Sequence, residues 1–313
     1  MIDPDGGQVI DREAEAELFR ELLRFADQRR LFLISDRKHR GKTTLLRKLK
    51  YQCDWSNPRI PCALVRLDEL QDSHPFALVE AVFDELQAAG VPFPAFQRHR
   101  DAIRRRDAAL FVSQGAANFG NAYISGGQAA AVISNVSVAA GVETVVVNTA
   151  AAVWDAGLET YAREAAIREF LRELREVCGT NTVVCLIDSV DEQANRTLVS
   201  WVLEKFVRTQ LLDAAEPPKQ LLLALAGRSE KSLFPPYRQN YPQRVHSLEG
   251  LGAWSMEHVR AFLELNRPVG ASPWPPSDAD IEFLRARINS GDTLYRAVMM
   301  IMAMYSVEQE SKP

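Results

Sequence analysis

The stretch "LFLISDRKHRGKTTLLRKLKYQ", residues 31–52, changes character twice within 22 residues. Residues 31–35 form an unbroken apolar run, the mark of a strand buried on both faces of a parallel sheet. Residues 42–52 read as a helix. Between them lies Gly41-Lys42-Thr43, the end of the pattern G-x-x-x-x-G-K-[ST], in the strand-loop-helix order that a phosphate site requires. Each residue answers a chemical need: a glycine lets the backbone approach phosphate, an ammonium meets the β- and γ-phosphates, and a hydroxyl meets Mg²⁺. Lys42 to Thr44 also open the helix, so free N–H groups and the helix dipole add to the pull on an anion. Arg40, Gly41, Lys42, Thr43 and Thr44 are therefore candidate nucleotide contacts, with Thr43 a candidate metal ligand. The departure is Asp36, where the pattern has its first glycine. Aspartate tolerates the left-handed turn expected there, but its carboxylate is unwelcome beside a triphosphate. Arg37, Lys38, His39 and Arg40 follow and offset part of that repulsion. The expectation is a site that still holds phosphate, with a weaker grip or slower hydrolysis, and an Asp36→Gly variant that binds ATP more tightly.

A second motif strengthens the first. "TVVCLID" (182–188) is the most apolar strand candidate, and it runs into Asp188, Asp191 and Glu192 of "LIDSVDE". An acid at such a strand end can hold Mg²⁺, and the following acids are placed to orient an attacking water. The competing reading is a strand-end Asp that caps the next helix. Further strands are expected at 62–70, 220–228 and, more weakly, 243–251. Arg228 closes "LLLALAGR" and is placed to sense a γ-phosphate. Strands alternating with helices, such as those read at 11–30 and 75–89, imply an α/β fold with a mostly parallel sheet covered on both faces.

Two regions fall outside this alternation. From about residue 252 the chain is helical, with candidate helices at 255–266, 277–288 and 294–307 around a Pro-rich linker at 267–277, and it reads as a small helical lid. Residues 108–142 contain no Asp, Glu, Lys or Arg, and short β-branched runs separated by Gly and Asn suggest hairpins in an inserted arm spanning about 108–150. Its Asn, Gln, Ser and Gly content argues against a membrane-spanning helix. An uncharged β-arm suits packing on its own domain, oligomerisation or docking of a partner.

Composition sets the outer bounds. The chain has 313 residues, 47% hydrophobic and 25% charged, with a formal net charge of −4, so a sizeable core is affordable and there is no overall basic field for nucleic acid. The local basic run "RHRDAIRRR" (98–106) reads first as a solvated helix face. Cys53, Cys62, Cys178 and Cys185 lack C-x-x-C spacing, which argues against a zinc site or disulfide framework. The acidic N-terminus has no apolar h-region, so the cytoplasm is the expected location.

In order, "VIDREAEAELF", "GKTTLL", "LIDSVDE", "LALAGR" and the helical tail resemble the STAND class of P-loop ATPases, relatives of the NACHT and AP-ATPase signalling proteins within the AAA-like group. The resemblance implies a parallel-sheet P-loop NTPase domain over 1–251, carrying the insert, and a helical lid over 252–313. It implies ATP and Mg²⁺ as ligands, Asp11 and Arg12 near the adenine end, Lys42 and Thr43 on phosphate and metal, Asp188 on metal, Asp191 or Glu192 on the hydrolytic water, and Arg228 as a sensor. "GDTL" (291–294) resembles the family's G-x-P-L lid motif with Thr293 in place of proline. Family members continue into a sensor or effector where this sequence stops. That implies a homo-oligomer or hetero-complex acting on a protein effector supplied in trans, such as a protease or nuclease, as in bacterial defence signalling. A nucleotide-independent scaffold with a degenerate loop and a DNA-acting AAA-like ATPase are the alternatives, the DNA reading being the less favoured.

Overall fold

The computed structural model describes residues 12–24, 30–37, 41–107, 110–111, 154, 156–191, 196–229, 233–251, 255–265 and 277–290. The expectations for the insert at 112–150, for Asp11, Lys38 to Arg40 and Glu192, for the "GDTL" motif and for the third lid helix all lie outside them.

Helix α1 (Glu13–Arg24) leads to β1 (Leu31–Asp36), and α2 (Lys42–Asp54) follows at once. Then come β2 (Cys62–Arg66), α3 (Pro75–Ala88), α4 (Pro94–Arg105) and the long α5 (Ala156–Val177). β3 (Val183–Asp188) runs into α6 (Arg196–Trp201), which continues as a π-helix (Val202–Leu212). β4 (Leu221–Arg228), α7 (Pro235–Asn240) and β5 (Val245–Glu249) complete the core, with α8 (Met256–Leu265) and α9 (Asp278–Ser290) beyond it. The sheet has five strands in the order β2-β3-β4-β1-β5, and every pairing is parallel. The expected α/β fold with a parallel sheet is therefore what the chain adopts, and the weakest strand candidate, β5, lies at an edge.

Alternation along the strands splits the core in two. Leu31, Leu33, Val65, Cys185, Ile187, Leu223 and Leu225 face α3, α4, α5 and the π-helix. Phe32, Ile34, Val184, Leu186, Leu222, Ala224 and Ala226 face α1 and α2. The helix after β1 thus lies on the opposite face from those after β2, β3 and β4. Such a reversal opens a crevice at the carboxyl ends of the strands, the usual ligand position in sheets of this kind.

Before its last residue no strand carries Asp, Glu, Lys or Arg, and each ends in one: Arg66, Asp188, Arg228, Asp36 and Glu249, in sheet order. Local devices fix the covering helices. Pro75 and Pro94 open α3 and α4, where a missing N–H costs nothing. The side chain of His74 caps α3, its Nδ1 accepting from Phe76 N at 3.1 Å. The cap of α4 comes from another helix: the buried Glu173 carboxylate on α5 accepts from Ala95 N at 2.8 Å and Phe96 N at 2.9 Å. Beyond the sheet, α8 and α9 are joined by Arg260 and Asp278 at 2.5 Å, and bury Val259, Ile281, Leu284 and Ile288. All four cysteines are buried and free. Among the described residues no helix is long and apolar enough to cross a membrane.

Candidate phosphate and metal site

The crevice is built from the turn between β1 and α2. Gly41 takes the left-handed conformation, φ 84°, that L side chains rarely adopt, and serves as the N-cap of α2 without any side-chain cap bond. The first turn of α2 contains no acid, so the helix itself places no negative charge on its leading N–H groups. Lys42, 9% exposed, donates from Nζ to the carbonyls of Asp36 at 2.8 Å and Arg37 at 2.7 Å, which fixes the ammonium at the loop. Thr44 is exposed on the same turn.

Thr43 provides the link to β3. Its hydroxyl donates to Asp188 Oδ2 at 2.5 Å, although the two residues are 145 positions apart. Asp188 is 3% exposed, and its other oxygen accepts from Ser189 N at 2.8 Å. Burial pushes its carboxyl above the ordinary value of 3.8, while the Thr43 hydroxyl, the Ser189 amide and the Arg66 guanidinium pull it back. Arg66 ends β2 in register with Asp188 and pairs with Asp68 at 2.8 Å and with Glu69. A hydroxyl and a carboxylate in contact form a pair of hard oxygen ligands suited to Mg²⁺, which takes few protein ligands and completes its shell with phosphate and water. Among the described residues no cluster of three or more His, Cys, Asp or Glu gathers to form an all-protein metal cage.

Asp191 and Arg228 meet beside this pair. Arg228 Nε stands 3.1 Å from Asp191 Oδ2, with the Asp191 side chain 7% exposed. That oxygen has no aligned hydrogen-bond donor, so charge rather than a directed bond holds the contact. Arg12 lies at the opposite shoulder. It is 4% exposed, at φ 83°, with one guanidinium nitrogen 3.8 Å from where a Cβ on Gly41 would sit. The structure thus gathers Gly41, Lys42, Thr43, Asp188, Asp191, Arg228 and Arg12 at one end of the sheet.

Asp36 departs from its expected geometry. It is the last residue of β1 rather than a left-handed loop residue, and positive φ falls instead on Gly41. Its carboxylate faces two backbone amides: Oδ1 accepts from Arg37 N at 2.6 Å and Oδ2 from Leu251 N at 2.7 Å. Its negative charge is thus engaged by those two backbone amides. Sequence reading also missed Ser189, at φ 61°, where the chain turns sharply after the acid, and Arg66 beside it. The charge that ends each apolar run was the available signal for Arg66; Ser189 gave none. The basic run on α4 is half neutralised: Arg100 pairs with Asp84 at 2.5 Å and Arg104 with Glu80 at 2.8 Å, leaving Arg98, Arg105 and Arg106 exposed.

No family model and no curated protein matches the chain. Solved structures do. Cdc6p from Pyrobaculum aerophilum matches with a TM-score of 0.51 at 13% identity, over 97% of this chain and 64% of that one. The ADP form of the ORC2 protein from Aeropyrum pernix matches with a TM-score of 0.50 at 12% identity, over 100% of this chain and 67% of that one. The chain shares their fold, an α/β architecture on a parallel sheet, and spans about two thirds of their length.

Proposed function

We propose that the chain is an ATP-binding, slowly hydrolysing switch of the STAND-like class, which changes conformation or assembly with its nucleotide and governs a protein effector supplied in trans. The contact between the Thr43 hydroxyl and the Asp188 carboxylate at 2.5 Å carries the reading, because it joins the two motifs at the mouth of a crevice where Lys42 is already fixed. The ADP named for the Aeropyrum pernix ORC2 structure supports it, as a nucleotide held on a fold of this kind.

In this reading the Lys42 ammonium and the N–H groups of Lys42, Thr43 and Thr44 hold phosphates, and Thr43 and Asp188 hold Mg²⁺. The bound ion supplies neutralisation of phosphate charge. Asp191 orients water together with Glu192, and Arg228, now on Asp191, is the group that a γ-phosphate draws toward itself. Arg12 and Asp11 flank the loop on the nucleotide side. The P-loop domain ends at residue 251 and the lid, represented by α8 and α9, moves against it. Homo-oligomerisation, the cytoplasmic location and a role in defence signalling rest on the STAND resemblance.

Calorimetric titration of Mg·ATP into the wild type and Lys42→Ala tests the proposal. Loss of a charged partner to phosphate is worth about 1.5–3 kcal/mol per bond, so a weakening of about 100-fold is expected. Unchanged affinity in Lys42→Ala sinks the reading, and no binding in the wild type favours the nucleotide-independent scaffold. A DNA-acting AAA-like ATPase is the second reading, favoured only by Arg98, Arg105 and Arg106 exposed on and just after α4.

A further inference from the structure

The residue that stands in place of the pattern's first glycine makes three attachments that glycine cannot make together. Asp36 is 7% exposed. Its backbone carbonyl accepts from Lys42 Nζ at 2.8 Å, Oδ1 accepts from Arg37 N at 2.6 Å, and Oδ2 accepts from Leu251 N at 2.7 Å across 215 residues of sequence. The Leu251 end is equally anchored. Gly250, at φ 77°, turns the chain out of β5 while its own N–H donates to Ser35 O at 2.8 Å, and the Leu251 side chain is 4% exposed against the core face that holds α1 and α2.

The chemistry of the side chain fits two donors. A carboxylate offers an acceptor to each amide, an asparagine offers one oxygen only, and glycine offers neither. Both bonds are charge-assisted, and the one from Leu251 N is also buried, the circumstance in which such bonds are strongest, while the one from Arg37 N is part-buried. The shoulder of the phosphate loop and the exit of β5, which leads toward α8, are therefore held by one residue. Any ligand that engages Lys42 acts on the ammonium that also holds the Asp36 carbonyl.

We propose that Asp36 is a positioning residue that ties the phosphate loop to the chain leaving β5, so that occupancy of the loop and the order of the Gly250–Leu251 turn are coupled. The coupling rests on the nucleotide reading given above; the tie itself does not. A loop with glycine at this position keeps its phosphate contacts and lacks the link, so Asp36 adds communication to a site whose grip comes from Gly41, Lys42 and Thr43.

Hydrogen exchange of the full chain, read on the peptide carrying Leu251 and on a β5 peptide as reference, tests the tie without ligand and the coupling with Mg·ATP. Without ATP, Asp36→Gly is expected to speed exchange at Leu251 by about tenfold or more, the factor set by losing one bond to a charged acceptor, with the β5 reference unchanged. Asp36→Asn, which keeps one acceptor and the side-chain volume, falls between the two and serves if the glycine variant folds poorly. With Mg·ATP, exchange at Leu251 shifts by about fivefold or more in the wild type, the lower end of ordinary coupling between sites, and this shift disappears in Asp36→Gly although ATP still binds. Equal Leu251 exchange in all three proteins overturns the tie. An ATP response retained in Asp36→Gly, or absent in a wild type that binds ATP, overturns the coupling. A wild type that does not bind ATP overturns the nucleotide reading and the coupling with it, and the ligand-free Leu251 comparison tells that failure apart from failure of the tie.

Discussion

Replacing Thr43 by Val removes one hydroxyl and almost nothing else, and the structure sets what that should cost. Among the described residues the Thr43 hydroxyl is the side-chain donor to Asp188 Oδ2, and the other carboxylate oxygen accepts from Ser189 N at 2.8 Å. A hydrogen bond to a charged group contributes about 1.5–3 kcal/mol, and the carboxylate it serves is 3% exposed, so solvent compensates little. Thr43→Val should therefore lower stability near neutral pH by about 1.5–3 kcal/mol, measured as a shift of the urea midpoint at constant m in the presence of a chelator. The loss should also depend on pH. Burial raises the Asp188 carboxyl above 3.8, so the folded state carries a penalty that is absent below the unfolded value and is incurred as pH rises through the folded one. Losing the hydroxyl raises the carboxyl further, which enlarges the deficit at neutral pH and shrinks it in mild acid. In a double-mutant cycle with Asp188→Asn the coupling should reach about 1 kcal/mol or more. A cost below about 0.5 kcal/mol, or one that is the same at both pH values, would refute the inferred pairing of the two motifs.

Other expectations test the scaffold and the alternative reading. Glu173→Gln trades one carboxylate oxygen for a donor facing the N-terminus of α4, and should cost about 2–3 kcal/mol in urea unfolding, whereas Glu176→Gln on the exposed face of the same helix should stay within about 0.5 kcal/mol. Burial and the neighbouring Arg163 lower the His74 pKa from 6.5, against Asp72, Glu164 and Glu159, which raise it, so the neutral ring that caps α3 is favoured. Its contribution is complete above the unfolded value and lost as pH falls through the folded one; His74→Asn, which keeps a cap, should flatten acid destabilisation by about 1 kcal/mol. If the DNA reading holds, Arg98→Ala with Arg105→Ala should weaken duplex binding and flatten its salt slope by about two units in anisotropy titrations, and wild-type binding indifferent to salt removes that reading.

What the sequence disclosed follows from where its signals are local. β1, the loop and α2 were legible because a buried strand, a Gly-Lys-Thr run and a helix start follow one another directly, and β3 was legible because a strand covered on both faces tolerates no charge until its end. Asp36 was misread because its partner, Leu251, is remote in sequence, and a pattern names the residue a position usually needs, not the one another strand has recruited. The long α5 has no motif to announce it; its buried Ala162, Ala165, Ala166, Phe170 and Leu174 gain meaning only against α3 and α4. The π-helix after α6 was equally hidden, since its buried residues fit α-helical spacing nearly as well. Glu173 carries no local signal either, because the α4 amides it caps lie 78 and 77 positions away in sequence.

The row of terminal charges on the five strands has a consequence for folding itself. In a parallel sheet sandwiched between helices, apolar runs such as those of β3 and β4 would pack almost as well if a strand slid by two residues, since the same faces would stay inward. Here such a slide toward the base of the sheet drags Arg66, Asp188 or Arg228 from the rim into a layer with no water, where an unpaired charge costs several kcal/mol. The rim residues act as stops that leave each strand one depth at which to rest. The groups on which the proposed chemistry depends are thus the ones that make the sheet count its residues correctly.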